Sequence, residues 1–169
     1  MDKQHADFSA PFDRHAEAIR PEWIDYNGHM NVAFYVLVFD NATDALFEAM
    51  DFGAAWRKRS GRSFFAVEAH VRYLAELTLG DEVRVATQIL AVDDKRLHCF
   101  HMLRHKTTGT LAATMEFLAL HVDLGMRRAI PFAAEDRARI AGFAAAHASL
   151  PTPDGVGRAV GLRKASEPR

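Results

Sequence analysis

The chain has little with which to cross-link itself. Cys99 is its only cysteine among 169 residues, which excludes an internal disulfide and a multi-thiolate zinc site. An excess of one charge is also missing. The 21 Lys and Arg stand against 22 Asp and Glu, a net charge of −1, so nothing global draws the chain to nucleic acid or an anionic membrane. Its longest unbroken apolar run, Val32 to Phe39, is far below the roughly 20 residues that cross a bilayer. The first seven residues contain no apolar segment of signal-peptide type, and the cytoplasm is the expected compartment. What the chain does have is core material, since 49% of it is hydrophobic. Composition and pattern predict a flexible N-terminus over 1–10, a single domain over 11–149 and an extended tail over 150–169 that is rich in Pro and Gly.

Within the domain, a short strand is expected from about Phe12 to Ile19, followed by a structured loop, Arg20 to Asn31, carrying the turn formers Pro21 and Asn27-Gly28. Val32 to Met50 reads as one helix. No Gly or Pro interrupts it, Asn31 is an N-cap candidate and Gly53 lies just beyond its end. Its first two turns are apolar all round, which predicts a helix enclosed by other elements. After a cationic loop, Arg57 to Arg62, the period changes to two: Phe65, Val67, Ala69, Val71, Tyr73, Ala75 and Leu77 alternate with Glu68, His70, Arg72 and Glu76. Three further strands are expected, about Glu82 to Val92, Arg96 to His105 and Thr110 to Val122, joined by hairpin turns at Asp93–Lys95 and Lys106–Gly109. A second helix is expected from about Ala133 to Ala148. The fold class is α+β: an antiparallel sheet of about five strands wrapped round one long central helix, plus a C-terminal helix, which is the layout of the hotdog fold. Long edge strands favour pairing with a second copy.

The densest polar cluster is Trp23, Asp25, Tyr26, Asn27, His29 and Asn31, on the loop that feeds the central helix. Unpaired backbone N–H groups and the positive end of the helix dipole meet there, and such a place stabilises an oxyanion. A carboxylate beside it is the minimum equipment for hydrolysing an activated ester, with Asp25 acting either as nucleophile or as base toward water. The plainer reading makes Asp25, Asn27 and Asn31 turn and cap residues only.

The segment Trp23-Ile24-Asp25-Tyr26-Asn27-Gly28-His29-Met30-Asn31, with Tyr35 four residues on, resembles the loop-helix signature of hotdog thioesterases of the 4-hydroxybenzoyl-CoA thioesterase type. Val67 to Glu76 and His121-Val122-Asp123 resemble the carnitine-degradation subgroup that acts on betainyl-CoA; together the match runs from about Pro21 to Phe132. The resemblance implies that Asp25 is the catalytic carboxylate. It also brings forward Glu68, which shares a strand face with His70 and Arg72, either to complete a site across a dimer interface or simply to meet solvent. Many relatives carry a second Asp where this chain has Asn27 and a second Asn where it has Val32. These departures bear on substrate identity more than on reaction type.

The candidate catalytic residues are therefore Asp25, His29, Asn31 and Glu68, and the candidate substrate-binding residues are Trp23, Tyr26, Asn27, Tyr35, Arg57, Lys58 and Arg59. The three basic residues are candidates for the phosphates of coenzyme A, in competition with Lys95-Arg96 and Arg127-Arg128. Asp40, Asp44 and Glu48 repeat at four-residue spacing on one helix face, where like charges repel; water, Arg72 or a cationic substrate would compensate them. No metal site is expected from the nine His residues, because none forms a paired spacing on a helix. The expected activity is an acyl-CoA thioesterase acting on a short acyl chain, with betainyl-CoA as candidate substrate and no cofactor. The expected assembly is a homodimer or dimer of dimers. The rivals are a hotdog enoyl-CoA hydratase, whose Asp-x-Asn-Pro pattern is broken here at Gly28, and a non-catalytic acyl-CoA binding domain.

Overall fold

A computed structural model describes residues 9–162. Most of the expected N-terminal end and the last part of the tail lie outside the described residues. The elements are β1 Phe12–Ala18, α1 Val32–Ala49, α2 Ala54–Ser60, β2 Arg62–Tyr73, β3 Glu82–Val92, β4 Arg96–His105, β5 Leu111–Asp123, β6 Arg128–Ala129 and α3 Ala134–His147, with a 3-10 turn at Pro21–Trp23. The strands form one antiparallel sheet in the order β1-β3-β4-β5-β2, with β6 added against the end of β5. This is the expected hotdog arrangement, a curled sheet whose inner face packs on α1.

Local chemistry explains the elements. The Asn31 side chain accepts a hydrogen bond from the Ala33 N–H at 3.0 Å and starts α1; Asp51, at φ +59°, ends it. In the β3–β4 turn, Asp93 accepts from the backbone N–H groups of Lys95 and Arg96 and from the Arg96 guanidinium, which pushes its carboxyl down to about 2. Tyr35, Val38, Phe39, Ala42, Thr43 and Leu46 line the buried side of α1.

Four expectations are corrected. The head of α1 is not enclosed all round: Val32, Val36 and Leu37 are exposed and form an apolar stripe that continues into Asp40 and Asp44. The cationic segment is not a loop, because Arg57, Lys58 and Arg59 form the last turn of α2, where the negative end of the helix dipole favours them. The alternation along β2 does not run unbroken. A bulge between Ala66 and Glu68 resets the register, so Phe64, Ala66, Ala69, Val71 and Tyr73 face inward with their partners on β5, while Phe65, Glu68, His70 and Arg72 face outward. The strand then ends at Tyr73, leaving Ala75 and Leu77 in the connection to β3. β6 is too short to leave a sequence signature.

The expected tail, 150–169, is described as far as 162 and lies across the outer face of the sheet. Gly157 N–H donates to Glu116, Gln88 donates to the Pro151 carbonyl, and Arg72 pairs with Asp154 at 3.8 Å. Gly155, at φ +100°, sits directly against the Arg72 guanidinium, which a side chain there would displace.

His101 is wholly buried under α1, stacked between Phe39 and Phe117. The Thr43 hydroxyl lies 2.9 Å from both the Phe39 carbonyl and His101 Nε2. Donating its proton to the carbonyl, it accepts from Nε2–H, and Nδ1 accepts from Thr87 at 2.8 Å. Burial pushes this imidazole down to about 3. The unfolded chain takes up a proton here near pH 6.5 and the folded chain only near 3, so stability should fall as pH falls through that window, by about 1.4 kcal/mol per unit. His101→Phe should cost about 1–3 kcal/mol near neutral pH, because it leaves the Thr87 hydroxyl unpaired. In urea unfolding, the gap between variant and wild type should narrow toward pH 5; a gap that stays constant would show that His101 is not held neutral.

Candidate active site

The loop before α1 is built by its own backbone. Gly28 N–H donates to the Asp25 carbonyl at 3.0 Å and Asp25 N–H to the His29 carbonyl at 2.9 Å. Asp25-Tyr26-Asn27-Gly28 is thus a tight turn with Asp at its first position and Gly at its last, where φ is +81°. Met30 N–H reaches the Leu77 carbonyl and Asn31 N–H the Trp23 carbonyl, which ties the turn to the β2–β3 connection and to the 3-10 turn. Trp23 itself, 3% exposed and stacked on Phe34 at 5.4 Å, anchors the base.

One consequence is a fixed carboxylate. Asp25 Oδ1 accepts from the Asn27 N–H at 2.8 Å, and among the described residues no other hydrogen bond reaches this side chain, so its second oxygen is available to the adjoining cleft. That cleft, of about 320 Å³, is lined by Asp25, Asn27, His29, Val32, Tyr35 and Tyr73, with Leu74, Ala75 and Glu76 closing its far wall. Tyr73 donates to the Val32 carbonyl at 3.3 Å and Tyr35 to the Ala75 carbonyl at 3.3 Å; their rings meet edge to face at 5.3 Å. Burial pushes both phenols up, so each stays a neutral donor. His29 Nε2 lies 3.1 Å from Glu76 across the mouth. The Val32 N–H, at the first helical position, has no acceptor among the described residues, and it opens α1 with the positive end of the helix dipole. A carbonyl oxygen that gains negative charge there is stabilised while a carboxylate stands beside it, which is equipment for acyl transfer to water.

The structure brings together Asp25, Asn27, His29 and Tyr35, with Asn31 holding the helix end as its cap. It does not bring the other named residues there. Trp23 packs in the core, and Tyr26, 96% exposed, stands at the tip of the turn. Glu68 points from the outer face of β2, on the side away from α1, into a hollow shared with His70, His98 and Glu116. Arg57 borders a different cavity further along α1, and Lys58 and Arg59 are exposed on α2. Tyr73 and Glu76, absent from the expected site, are wall residues; forty and more positions separate them from the Asp25 turn, and no local pattern links the two. Arg72 does not compensate Asp40 and Asp44, since it lies on the opposite face with Asp154. Cys99 is fully buried and its thiol is pushed up to about 12, which removes it as a nucleophile. Among the described residues no three His, Cys, Asp or Glu side chains converge as metal ligands, and no helix is long and apolar enough to cross a membrane.

Comparison with known proteins agrees with this geometry. Residues 19–144 match the model of the thioesterase-like superfamily. A betainyl-CoA thioesterase of Pseudomonas aeruginosa is 46% identical over 144 residues, 85% of this chain and 91% of the relative. An L-carnitine dehydrogenase/betainyl-CoA thioesterase of Rhizobium meliloti is 35% identical over 94% of this chain, which spans 32% of that longer protein. Among solved structures, a Staphylococcus aureus protein in complex with CoA superposes with a TM-score of 0.83 at 28% identity, covering 92% of this chain and 98% of that one. A putative thioesterase of Pseudomonas putida does so at 0.79 and 34% identity, covering 92% and 99%. By its sequence and its curled sheet, the chain belongs to the thioesterase-like superfamily and is a thioester hydrolase with the hotdog fold.

Proposed function

We propose that this protein hydrolyses betainyl-CoA to betaine and free coenzyme A, as a cytoplasmic homodimer or dimer of dimers that needs no cofactor beyond the coenzyme A of its substrate. The observation that carries the reading is the Asp25 carboxylate, held by the Asn27 N–H in one cleft with Val32, whose N–H opens α1 with no acceptor among the described residues. With the thioester carbonyl oxygen toward that helix end, Asp25 either attacks the acyl carbon or deprotonates a water that does. A C–O bond forms, the C–S bond breaks, and the thiolate leaves to be protonated; where Asp25 is the nucleophile, the acyl-Asp25 anhydride so formed is then cleaved by water to free acid and carboxylate. The 46% identical relative that bears the name betainyl-CoA thioesterase supports the acyl group. The solved neighbour in complex with CoA supports the carrier.

The surface supports the assembly. Among the described residues β2 has β5 on one side only, and its middle, residues 65–69, is exposed, with Phe65 and Val67 about half accessible. An apolar, unpaired edge of this length is a liability unless another strand covers it. The exposed stripe of Val32, Val36 and Leu37 on α1 is the second apolar element a partner would cover. A second copy meets both demands at once, because an antiparallel edge pairs with itself about a two-fold axis.

A panel of acyl-CoA thioesters assayed for thiol release tests the reading. Betainyl-CoA should be turned over with a kcat/KM at least about tenfold above that of its uncharged isostere, 3,3-dimethylbutanoyl-CoA. Equal efficiency on the two would remove betainyl-CoA as the preferred substrate, and hydration of enoyl-CoA without thiol release would overturn hydrolysis.

A further inference from the structure

The chemistry of a betainyl group fixes where its charge must sit. A single methylene separates the trimethylammonium nitrogen from the thioester carbonyl, so with that carbonyl at Asp25 the cation lies in the same cleft of about 320 Å³. Among the described residues no Lys or Arg lines that cleft. It does contain a second carboxylate, Glu76, for which the hydrolysis at Asp25 has no use. Aromatic rings adjoin it. Tyr35 and Tyr73 meet edge to face at 5.3 Å and both line the cleft. Their hydroxyls are engaged by the Ala75 and Val32 carbonyls, so ring surface is what each can offer a ligand. Burial chiefly, and the Glu76 charge with it, push the Tyr35 phenol up, which puts this ring within the field of that carboxylate. The wall is fixed from behind, since the Leu74 and Ala75 N–H groups both donate to the Ala112 carbonyl, at 2.8 and 3.1 Å.

A quaternary ammonium donates no hydrogen bond, so opposite charge and aromatic faces are what a protein can hold it with. Glu76 supplies the first and the two tyrosines the second. His29 Nε2, at 3.1 Å, neutralises Glu76 only when the imidazole is protonated, whereas a trimethylammonium group carries its charge at every pH. In water an exposed carboxylate attracts weakly; an acyl-CoA seated in the cleft displaces that water and strengthens the attraction. Asp25 acts on the carbonyl common to all acyl-CoA thioesters. That leaves Glu76 to distinguish a cationic acyl chain from a neutral one of the same shape.

We infer that Glu76, with the rings of Tyr35 and Tyr73, seats the trimethylammonium end of the acyl group and so sets a preference for a cationic chain over a neutral one. The inference rests on the betainyl-CoA reading and deepens it, since it names the residues that select the cation.

Charge removal at Glu76 tests it. Glu76→Gln keeps the shape of a side chain that is 74% exposed, so no packing is lost. The ratio of kcat/KM on betainyl-CoA to that on 3,3-dimethylbutanoyl-CoA should fall by at least about tenfold in this variant, the size expected when a charge contact to the cation goes. Any effect that passes through His29 cancels in the ratio, because His29 meets both thioesters alike. Tyr73→Leu should lower the same ratio about threefold or more, whereas Tyr73→Phe, which keeps the ring, should hold it. A wild-type ratio in Glu76→Gln, including the case in which both substrates slow together, would overturn the inference while the betainyl-CoA activity stands, and so would a wild-type ratio in Tyr73→Leu. Wild-type protein without any preference for betainyl-CoA would instead bring down the substrate reading itself, and the inference with it.

Discussion

The structure depends on burying one helix. α1 brings Tyr35, Val38, Phe39, Ala42 and Leu46 out of water together, and each large side chain of that set contributes about 1.5–3 kcal/mol when fully buried. A single flat sheet cannot cover such a helix, so five strands curl around it, with His101 and its two hydroxyl partners as the polar layer between. Because one side of the helix is buried from Tyr35 to Leu46, its position is set by the core, and the loop before it is held to the β2–β3 connection by Met30. Rigid placement of Asp25 follows from core packing rather than from contacts of the carboxylate alone.

The same packing leaves two things unfinished. Among the described residues the sheet stops at β2 with a free edge, and α1 keeps an uncovered stripe that is apolar at its head and acidic further on. Both lie on the same border of the molecule.

Much of this was legible in the residues. Turn formers at Asp93–Lys95 and Lys106–Gly109 act within a few positions, and the hairpins fell where they stand; Asn31 and the uninterrupted apolar run fixed α1 to within a residue. The turn at Asp25 was legible for the same reason, since Asp-Tyr-Asn-Gly is a turn by local rules, whereas the catalytic role of its carboxylate was implied only by the family resemblance. What was not legible depends on partners distant in sequence. The bulge at Val67 comes from pairing with β5, and no residue in β2 announces it. Whether Trp23 reaches substrate or core depends on Phe34 beneath it. Glu68 could be assigned to the face opposite the apolar one but not to a hollow with His98 and Glu116, and the basic run could not be told from a loop because α2 is only seven residues long.

The central claim is that one carboxylate at the head of the buried helix carries the hydrolysis. Single-turnover release of thiol from betainyl-CoA by Asp25→Asn, beside wild type of the same circular dichroism and sedimentation, tests it most directly. The substitution keeps the size of the side chain and an oxygen for the Asn27 N–H while removing the charge, so the rate should fall by at least about two orders of magnitude. A folded Asp25→Asn variant that releases thiol at close to the wild-type rate would contradict the account.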